Sequence, residues 1–175
     1  MNLKLSGKNL VLQYEVDEQL LEKESLKLYN CPKRIKYILV NLISNAIKFT
    51  VQGTITVIIS GFNNNPNFLQ VKVKDTGCGI PSDIIQKLGQ PFTTFDNDKQ
   101  QMNQDGIGLG LFICKKIIRQ LGPSQVIDIQ SVLNKGSVFS FIIFRKNPNV
   151  VEKISTSIDD QINKIEPVLV NKSNE

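Results

Sequence analysis

The feature that most constrains the fold is an apolar stripe with helical spacing between residues 32 and 50. Its members recur at the i, i+3, i+4 and i+7 positions that share one face of a helix: Ile35, Ile38, Leu39, Leu42, Ile43, Ala46 and Ile47. Pro32 suits the first turn of this helix, because the N–H that proline lacks has no partner there, and Gly53 ends the pattern. The sequence therefore predicts one long amphipathic helix, whose apolar face needs another layer to cover it.

That layer is predicted to be a β-sheet. Alternating or short apolar runs of β-forming residues indicate strands over residues 9–16, 25–29, 54–60, 69–75, 126–131 and 137–144. The third and fourth of these are expected to pair as a hairpin through a turn at residues 62–67, and the last two through a turn at residues 134–136. The order of strands and helices predicts an α/β sandwich with a mixed, largely antiparallel sheet that about three helices cover on one face.

The segment between the two hairpins is predicted to contain a short helix, a long loop and a second long helix. Ser82 is expected to cap the short helix over residues 83–88. Residues 90–105 are polar and without a periodic pattern, and a stretch of this kind inside a domain is usually functional or disordered. The second amphipathic helix begins in the glycine-rich residues 106–111. Residues 1–145 are thus predicted to form one domain, and residues 146–175 a polar, flexible tail or linker.

Composition excludes several classes of function. The 175-residue chain is 41% hydrophobic, yet it has no apolar stretch near the roughly 20 residues that span a bilayer and no signal-peptide pattern. A net charge of +5 spread along the chain, with few aromatic residues among the basic ones, argues against nucleic-acid binding. Three cysteines without metal or disulfide spacing indicate reduced thiols. We therefore expect a cytoplasmic domain without direct membrane contact, although a longer parent protein could carry a membrane anchor. The chain has no histidine, so any imidazole chemistry has to come from elsewhere.

The predicted long helix carries a polar row beside its apolar stripe. At about 100° per residue, Asn41, Asn45 and Lys48 lie within about 60° of one another. An amide oxygen is a neutral ligand for a hard cation such as Mg²⁺, and a lysine one turn further along can meet a phosphate. A solvated helix face explains the same three residues, and this stretch alone does not decide between the two.

The motif DTGCGIP, residues 75–81, follows a predicted strand. Asp75 places a carboxylate at the strand end, where it can accept a hydrogen bond from an exocyclic amine. Gly77 and Gly79 allow a sharp turn and the close approach of a ligand. A polar β-turn is the alternative interpretation.

The motif GIGLGL, residues 106–111, stands at a predicted helix start. Free backbone amides and the positive end of the helix dipole make such a terminus a site for anions. The motif is not a Walker loop, because no Gly-Lys-Ser/Thr follows, and it does not follow a strand as a dinucleotide fingerprint does. Glycines that only relax a loop-to-helix junction are the alternative.

Together the three motifs supply a cation ligand, an amine acceptor and a phosphate site within one domain. These are the groups that a Mg²⁺–purine nucleotide needs. Residues 90–105, between the second and third motifs, are then expected to form a lid over the phosphates.

With these motifs the sequence resembles the ATP-binding catalytic domain of sensor histidine kinases. That family shares a superfamily with DNA gyrase, the mismatch-repair ATPases and the ATP-dependent heat-shock chaperones. The resemblance covers the chain between Leu10 and Phe144 and rests on four boxes in the family order: RIKYILVNLISNAIKFT, DTGCGIP, QPFTTF and GIGLGL. It implies the Bergerat-type ATP-binding fold, with ATP and Mg²⁺ as the bound groups.

The resemblance also implies roles for individual residues. Asn45 falls on the Mg²⁺-ligand position, and Asn41 and Lys48 fall on phosphate-side positions. Asp75 matches the aspartate that receives the adenine amino group, in a pocket shaped by Gly77 and Gly79. The remaining matched positions are Phe92 and Phe95 in the box that leads into the lid, Gly106, Gly108, Leu109 and Gly110 in the second glycine box, and Ser137 near the adenine.

One position separates the branches of the superfamily. Where the ATPase branches carry a glutamate that acts as a general base on water, this chain has Asn41. An amide cannot take a proton at neutral pH, so the resemblance implies a kinase that holds ATP and stabilises transfer of its γ-phosphoryl group.

The partners that the resemblance implies lie on other domains. The acceptor is a histidine on the dimerisation helices of a parent kinase, and a response-regulator receiver domain is expected downstream. Two alternatives stay open. One is a degenerate ATP-sensing module, which the negative charge of Asp105 near the phosphates would suit. The other is a gyrase- or chaperone-like ATPase clamp, which Asn41 disfavours.

Overall fold

The protein is built on one six-stranded β-sheet. The computed structural model describes residues 2–5, 9–21, 28, 30–88, 90, 109–123 and 126–145. The strands are β1 Asn2–Leu5, β2 Asn9–Val16, β3 Gln52–Phe62, β4 Asn65–Asp75, β5 Asp128–Val132 and β6 Gly136–Phe144. The helices are α1 Glu18–Leu21, α2 Pro32–Phe49, α3 Ser82–Ile85 and α4 Gly110–Ile118.

The sheet is mixed and largely antiparallel, as predicted. Its strand order is β1-β2-β3-β4-β6-β5. Strands β2 and β3 run parallel, and the other neighbouring pairs are antiparallel. A parallel pair needs a crossover connection, and the chain between β2 and β3 contains α2.

The core lies between one face of this sheet and helices α2 and α4. The buried residues of α2 are Ile38, Leu42 and Ala46, which all belong to the predicted apolar stripe. The sheet contributes alternate residues of its strands, since successive side chains point to opposite faces: Ile55, Leu69, Val71, Val73, Phe141 and Ile143. Full burial of such a side chain stabilises the fold by about 1.5–3 kcal/mol, so this interface holds α2 and α4 on the sheet.

The half-buried side-chain amide of Asn30 connects the two long helices at one end. The Nδ2 of Asn30 donates to the carbonyl oxygens of Leu121 at 2.9 Å and Phe144 at 3.1 Å, and its Oδ1 accepts from the Cys31 N–H at 3.0 Å. These contacts join the start of α2, the residues after α4 and the end of β6. The C-terminal end of α2 and the N-terminal end of α4 lie on the other side of the domain.

The predicted strands 9–16, 54–60, 69–75, 126–131 and 137–144 and the long helix all have counterparts in the structure. The first hairpin turn is tighter than expected, because the strands extend to Phe62 and Asn65. The two residues between them, Asn63 and Asn64, have positive φ angles of 49° and 55°, as a two-residue hairpin turn requires.

Other details differ from the prediction. Ser82 does not cap α3: it is the first helical residue, Pro81 occupies the N-cap position, and no side chain caps the helix. The short elements β1 and α1 were not predicted. Of the strand expected at residues 25–29 only Leu28 is described, and it lies in no helix or strand. The expected tail at residues 146–175, and all of the expected lid except Gln90, lie outside the described residues. Within the described part of the chain, none of the helices combines the length and the apolar character that crossing a membrane requires.

Candidate functional site

Polar residues on three neighbouring strands border the apolar core at one end of the sheet. Asp75, the last residue of β4, pairs with Ser137 on β6, which pairs in turn with Ser131 on β5. Because side chains alternate along a strand, Asp75 lies on the same face as the buried Val71 and Val73. Asp75 and Ser137 remain only 6% and 5% exposed. The helix-covered face thus ends in a buried carboxylate with hydroxyl groups beside it.

Backbone amides fix the Asp75 carboxylate. Its Oδ1 accepts from the Gly77 N–H at 2.8 Å and from the Ser137 N–H at 3.3 Å. Burial raises the pKa of Asp75 above its ordinary value of 3.8, and the hydrogen bonds from Gly77 and Ser137 oppose part of that rise. A carboxylate has about four acceptor positions, so Asp75 can still accept a hydrogen bond from a ligand.

The loop after Asp75 packs closely against the end of α2. A Cβ atom on Gly77 would lie 2.3 Å from the Phe49 carbonyl oxygen, 2.8 Å from Thr50 Oγ1 and 2.9 Å from Asp75 Oδ1. Gly79 has a φ of +69°, which L side chains rarely adopt. Both glycines of DTGCGIP allow a close approach, since a Cβ atom on Gly79 would collide with the Val132 backbone carbonyl, and Gly79 supplies the left-handed backbone as well.

The polar row of α2 runs towards the end of the helix that the Gly77 loop contacts. Asn41 and Asn45 are half-buried and Lys48 is exposed. The Nδ2 of Asn45 donates to Asn41 Oδ1 at 3.5 Å, which is a weak contact. The Nδ2 of Asn45 is the atom turned towards Asn41, and its Oδ1 takes no part in this contact.

The start of α4 lies directly on Asn41. A Cβ atom on Gly110, the first residue of α4, would fall 2.3 Å from Asn41 Nδ2. Leu109 occupies the N-cap position and makes no side-chain cap hydrogen bond, so the N-cap side chain satisfies none of the first amides of α4. A helix N-terminus of this kind beside the Asn41 amide, with Asn45 and Lys48 further along the same face of α2, suits an anion.

The structure thus places Asn41, Asn45 and Lys48 on one side of α2, with Gly110 against Asn41 and Leu109 directly before Gly110. It brings Asp75, Gly77 and Ser137 together near the end of the same helix, and it places Gly79 against the backbone of Val132. Four predicted site residues lie outside the described part of the chain: Phe92, Phe95, Gly106 and Gly108.

Two hydroxyl groups at the site were not predicted. Thr50 is 0% exposed, and its Oγ1 has no hydrogen-bond partner among the described residues. Leaving such a group unsatisfied costs about 1–3 kcal/mol. Ser131 hydrogen-bonds to the loop after β4 through the Ile80 N–H at 2.8 Å. For Thr50, the available sequence signal was a polar residue at the end of an amphipathic helix. For Ser131, it was a serine on the predicted inward face of a strand.

Comparison with protein families matches residues 30–147 to the histidine kinase-, DNA gyrase B- and HSP90-like ATPase family. The chain belongs to this family. The match includes α2, both halves of the site and the two hairpins, and begins after β2.

The relatives of this ATPase-family domain are sensor kinases. It is 36% identical over 123 residues to the signal transduction histidine-protein kinase BarA of Escherichia coli (strain K12), a match that covers 69% of this chain and 13% of that protein. It is 36% identical over 129 residues to the sensor histidine kinase GacS of Pseudomonas protegens, covering 73% of this chain and 14% of that protein. The chain is therefore an ATP-binding catalytic domain of the sensor-kinase type that spans about an eighth to a seventh of these relatives.

A solved structure agrees with the fold of this domain. The nucleotide-free catalytic domain of histidine kinase ThkA superposes with a TM-score of 0.61 at 31% sequence identity, covering 79% of this chain and 82% of that one. The predicted α/β sandwich of the ATP-binding type is confirmed.

Proposed function

We propose that this domain binds Mg²⁺–ATP and donates the γ-phosphoryl group to a histidine on a separate dimerisation domain of a parent kinase. The observation that carries the proposal is the amide at Asn41, which lies one turn before Asn45 and against the start of α4. An amide cannot take a proton from water at neutral pH. The site therefore holds ATP for another nucleophile and does not activate water itself.

The adenine is assigned to the pocket of Asp75. A buried carboxylate held by two backbone amides is a fixed acceptor for the 6-amino group. Gly77 and Gly79 shape the wall of the pocket, and Ser137 stands beside the carboxylate. The phosphates are assigned to the space between α2 and the N-terminus of α4, near Asn41, Lys48, Leu109 and Gly110. Phe92, Phe95, Gly106 and Gly108 are proposed to complete the site.

The donor set fits one Mg²⁺ ion held mainly by phosphate oxygens and water. No group of three His, Cys, Asp or Glu side chains that could hold a metal ion occurs in the described ranges, and Asn45 offers a single free amide oxygen. Mg²⁺ usually takes one or two protein ligands and completes its shell with water and substrate phosphates. Asn45 would hold the ion, and Asn41 lies one turn before it on the same face of α2. Bound there, Mg²⁺ neutralises charge on the β- and γ-phosphates.

The proposed setting is two-component signal transduction in the cytoplasm. The domain has no histidine, so the acceptor is proposed to lie on dimerisation helices of the parent kinase, with a receiver domain downstream in the phosphorelay. Neither nucleic acid nor a membrane surface is a proposed partner of the domain. Residues 1–145 are proposed as the catalytic domain and residues 146–175 as a linker.

A phosphoryl-transfer assay tests this function. The full chain is mixed with the histidine-bearing helical domain of its parent and with ATP labelled at the γ-phosphate. Label on the acceptor, lost when the acceptor histidine is replaced, is the expected result. Rapid phosphate release without an acceptor would indicate an ATPase. ATP binding without either reaction would indicate a sensing module.

The raised pKa of Asp75 predicts a pH-dependent affinity for ATP. The ionised carboxylate accepts from the 6-amino group, whereas the protonated one carries a hydrogen that faces another donor. As pH falls, the affinity should begin to decline above the pH at which an ordinary aspartate titrates, because burial raises this pKa. Calorimetric titrations between about pH 4.5 and 7.5 measure the decline. Asp75→Asn is the control: its curve should keep only the titration of the phosphates, and identical curves would contradict the assignment.

The contact between Gly110 and Asn41 predicts a second effect on binding. Gly110→Ala places a Cβ atom 2.3 Å from Asn41 Nδ2, so the amide or the start of α4 has to move. We expect ATP to bind about tenfold or more weakly, because small displacements of positioning groups are costly. Gly61→Ala is a matched control, since a Cβ there meets nothing within 4 Å. Equal dissociation constants for the two variants would show that the contact does not matter.

A further inference from the structure

Ser131 lies behind the Asp75 pocket and has three hydrogen-bond partners. Its Oγ accepts from the Ile80 N–H at 2.8 Å, donates to the Gly136 carbonyl at 2.9 Å and lies 3.0 Å from Ser137 Oγ. The partners come from the loop after β4 and from β6, whereas Ser131 itself is on β5. One hydroxyl therefore connects three segments that surround the carboxylate.

The position of each hydrogen follows from what the partners can do. A serine hydroxyl has one hydrogen and two lone pairs. The Gly136 carbonyl can only accept, so the hydrogen of Ser131 is directed there. In the contact between the two serines, Ser137 must then be the donor. The Ser137 side chain also lowers the pKa of Asp75, so the Asp75 carboxylate is the competing acceptor for its single hydrogen.

We propose that Ser131 is a positioning residue for recognition of the 6-amino group of the purine. By accepting the hydrogen of Ser137, it leaves the Asp75 carboxylate free to accept from the ligand. By accepting the Ile80 N–H, it holds the far end of the loop that contains Gly77 and Gly79. This inference rests on the proposed role of Asp75 in the functional site.

Loss of this hydroxyl changes the carboxylate as well as the loop. In Ser131→Ala, the Ser137 hydroxyl loses Ser131 as an acceptor. Of these two acceptors, only Asp75 then remains for the Ser137 hydrogen. The carboxylate then receives a full extra donor and is a weaker acceptor for an exocyclic amine. The 6-oxo group of a 6-oxo purine cannot donate to Asp75 as the 6-amino group does, so binding of that base depends less on this change. The ratio of the two affinities is therefore a direct readout of the proposed role.

The experiment measures the dissociation constants of ATP and of inosine triphosphate, which carries a 6-oxo group, for the full chain and its variants. Ser131→Ala should weaken ATP binding about tenfold, the size expected for one hydrogen bond and one unsatisfied amide, and should weaken inosine triphosphate binding less. Ser131→Thr keeps the hydroxyl and should bind both nucleotides within about twofold of the natural protein.

Ser140→Ala is the matched control. Ser140 joins the same two strands through Asp128 Oδ2 at 3.4 Å, but it lies an odd number of residues from Ser137 and so on the opposite face of the sheet. It should leave the nucleotide ratio unchanged. If Ser131→Ala does not fold, Ser131→Cys replaces it, because a thiol keeps the shape but is a poor hydrogen-bond partner. The same fall in the ratio is expected.

The outcomes separate this inference from the proposed function. Equal weakening of both nucleotides by Ser131→Ala would assign the hydroxyl a structural role and overturn the inference. An unchanged ratio, or the same change in Ser140→Ala, would also overturn it. If Asp75→Asn leaves ATP affinity unaffected, the base assignment itself fails, whatever Ser131→Ala does.

Discussion

Asn45→Ala is expected to reduce phosphoryl transfer from ATP by about 100-fold or more, the loss typical for removing one group that stabilises the transferring charge. The side chain is half-buried beside Asn41, and its Oδ1 is the proposed ligand of the cation. Transfer of label from γ-labelled ATP to the histidine-bearing domain measures the loss. Binding of ATP should become nearly independent of Mg²⁺ concentration in the same variant.

Ser44→Ala is the matched control for this prediction. Ser44 is the preceding residue of α2, is exposed, and donates only to the Asn41 carbonyl at 2.9 Å. Its removal should leave both transfer and Mg²⁺ dependence within about twofold. If Asn45→Ala transfers label at the rate of Ser44→Ala, Asn45 is not the metal ligand.

Asp75→Asn is expected to weaken ATP binding by about 100-fold. The amide has nearly the shape of the carboxylate, and its oxygen can still accept from the Gly77 and Ser137 amides. Its NH₂ group, however, faces the 6-amino group of the base, so two hydrogen-bond donors face each other in a buried pocket. A mismatch of this kind, with loss of a charged acceptor, costs about 3 kcal/mol, which corresponds to two decades in the dissociation constant.

The size and specificity of this loss can both be checked. Calorimetry with ATP measures the affinity, and thermal unfolding reports whether the pocket is intact. Asp83→Asn makes the same change of charge at the exposed start of α3 and should bind ATP normally. If Asp83→Asn loses as much affinity as Asp75→Asn, the effect is one of net charge and not of base recognition.

Much of the fold could be predicted because burial leaves a periodic trace in the sequence. The stripe from Ile35 to Ile47 became α2, and the alternation in residues 69–75 and 137–144 became β4 and β6. Strand β1 and helix α1 are four residues each, which is too short for a periodic signal. The strand β1 owes its conformation to pairing with β2, a contact that its own residues do not specify.

The candidate site also contains some features that the sequence could predict and others that it could not. Asp75 and the polar row of α2 could be found from residue type and spacing. The burial of Thr50 could not, because it depends on the Gly77 loop lying across the end of α2. The contact between Ser131 and Ser137 depends on the register of the last hairpin, which the turn with Asn134 at φ 61° and Gly136 at φ 106° sets. Contacts of this kind can be identified only from the tertiary structure.

The parallel pairing of β2 with β3 has a consequence for how the domain should be produced. The family match begins at residue 30, but β2 covers β3 from Gln52 to Ile59 and buries Leu10, which is 1% exposed. A protein cut at residue 30 would uncover the sequence TITVII as a sheet edge without charge, proline or glycine. Edges of this kind recruit strands from other molecules.

We therefore expect the fragment 30–147 to self-associate at concentrations where the full chain is monodisperse by size-exclusion chromatography and light scattering. Ile58→Lys should suppress the association, because a charged side chain on an exposed edge opposes strand pairing. Association that persists in this variant would point to another surface. The residues before the recognised family region would then be ordinary flanking sequence, whereas suppression would identify them as a built-in shield against aggregation.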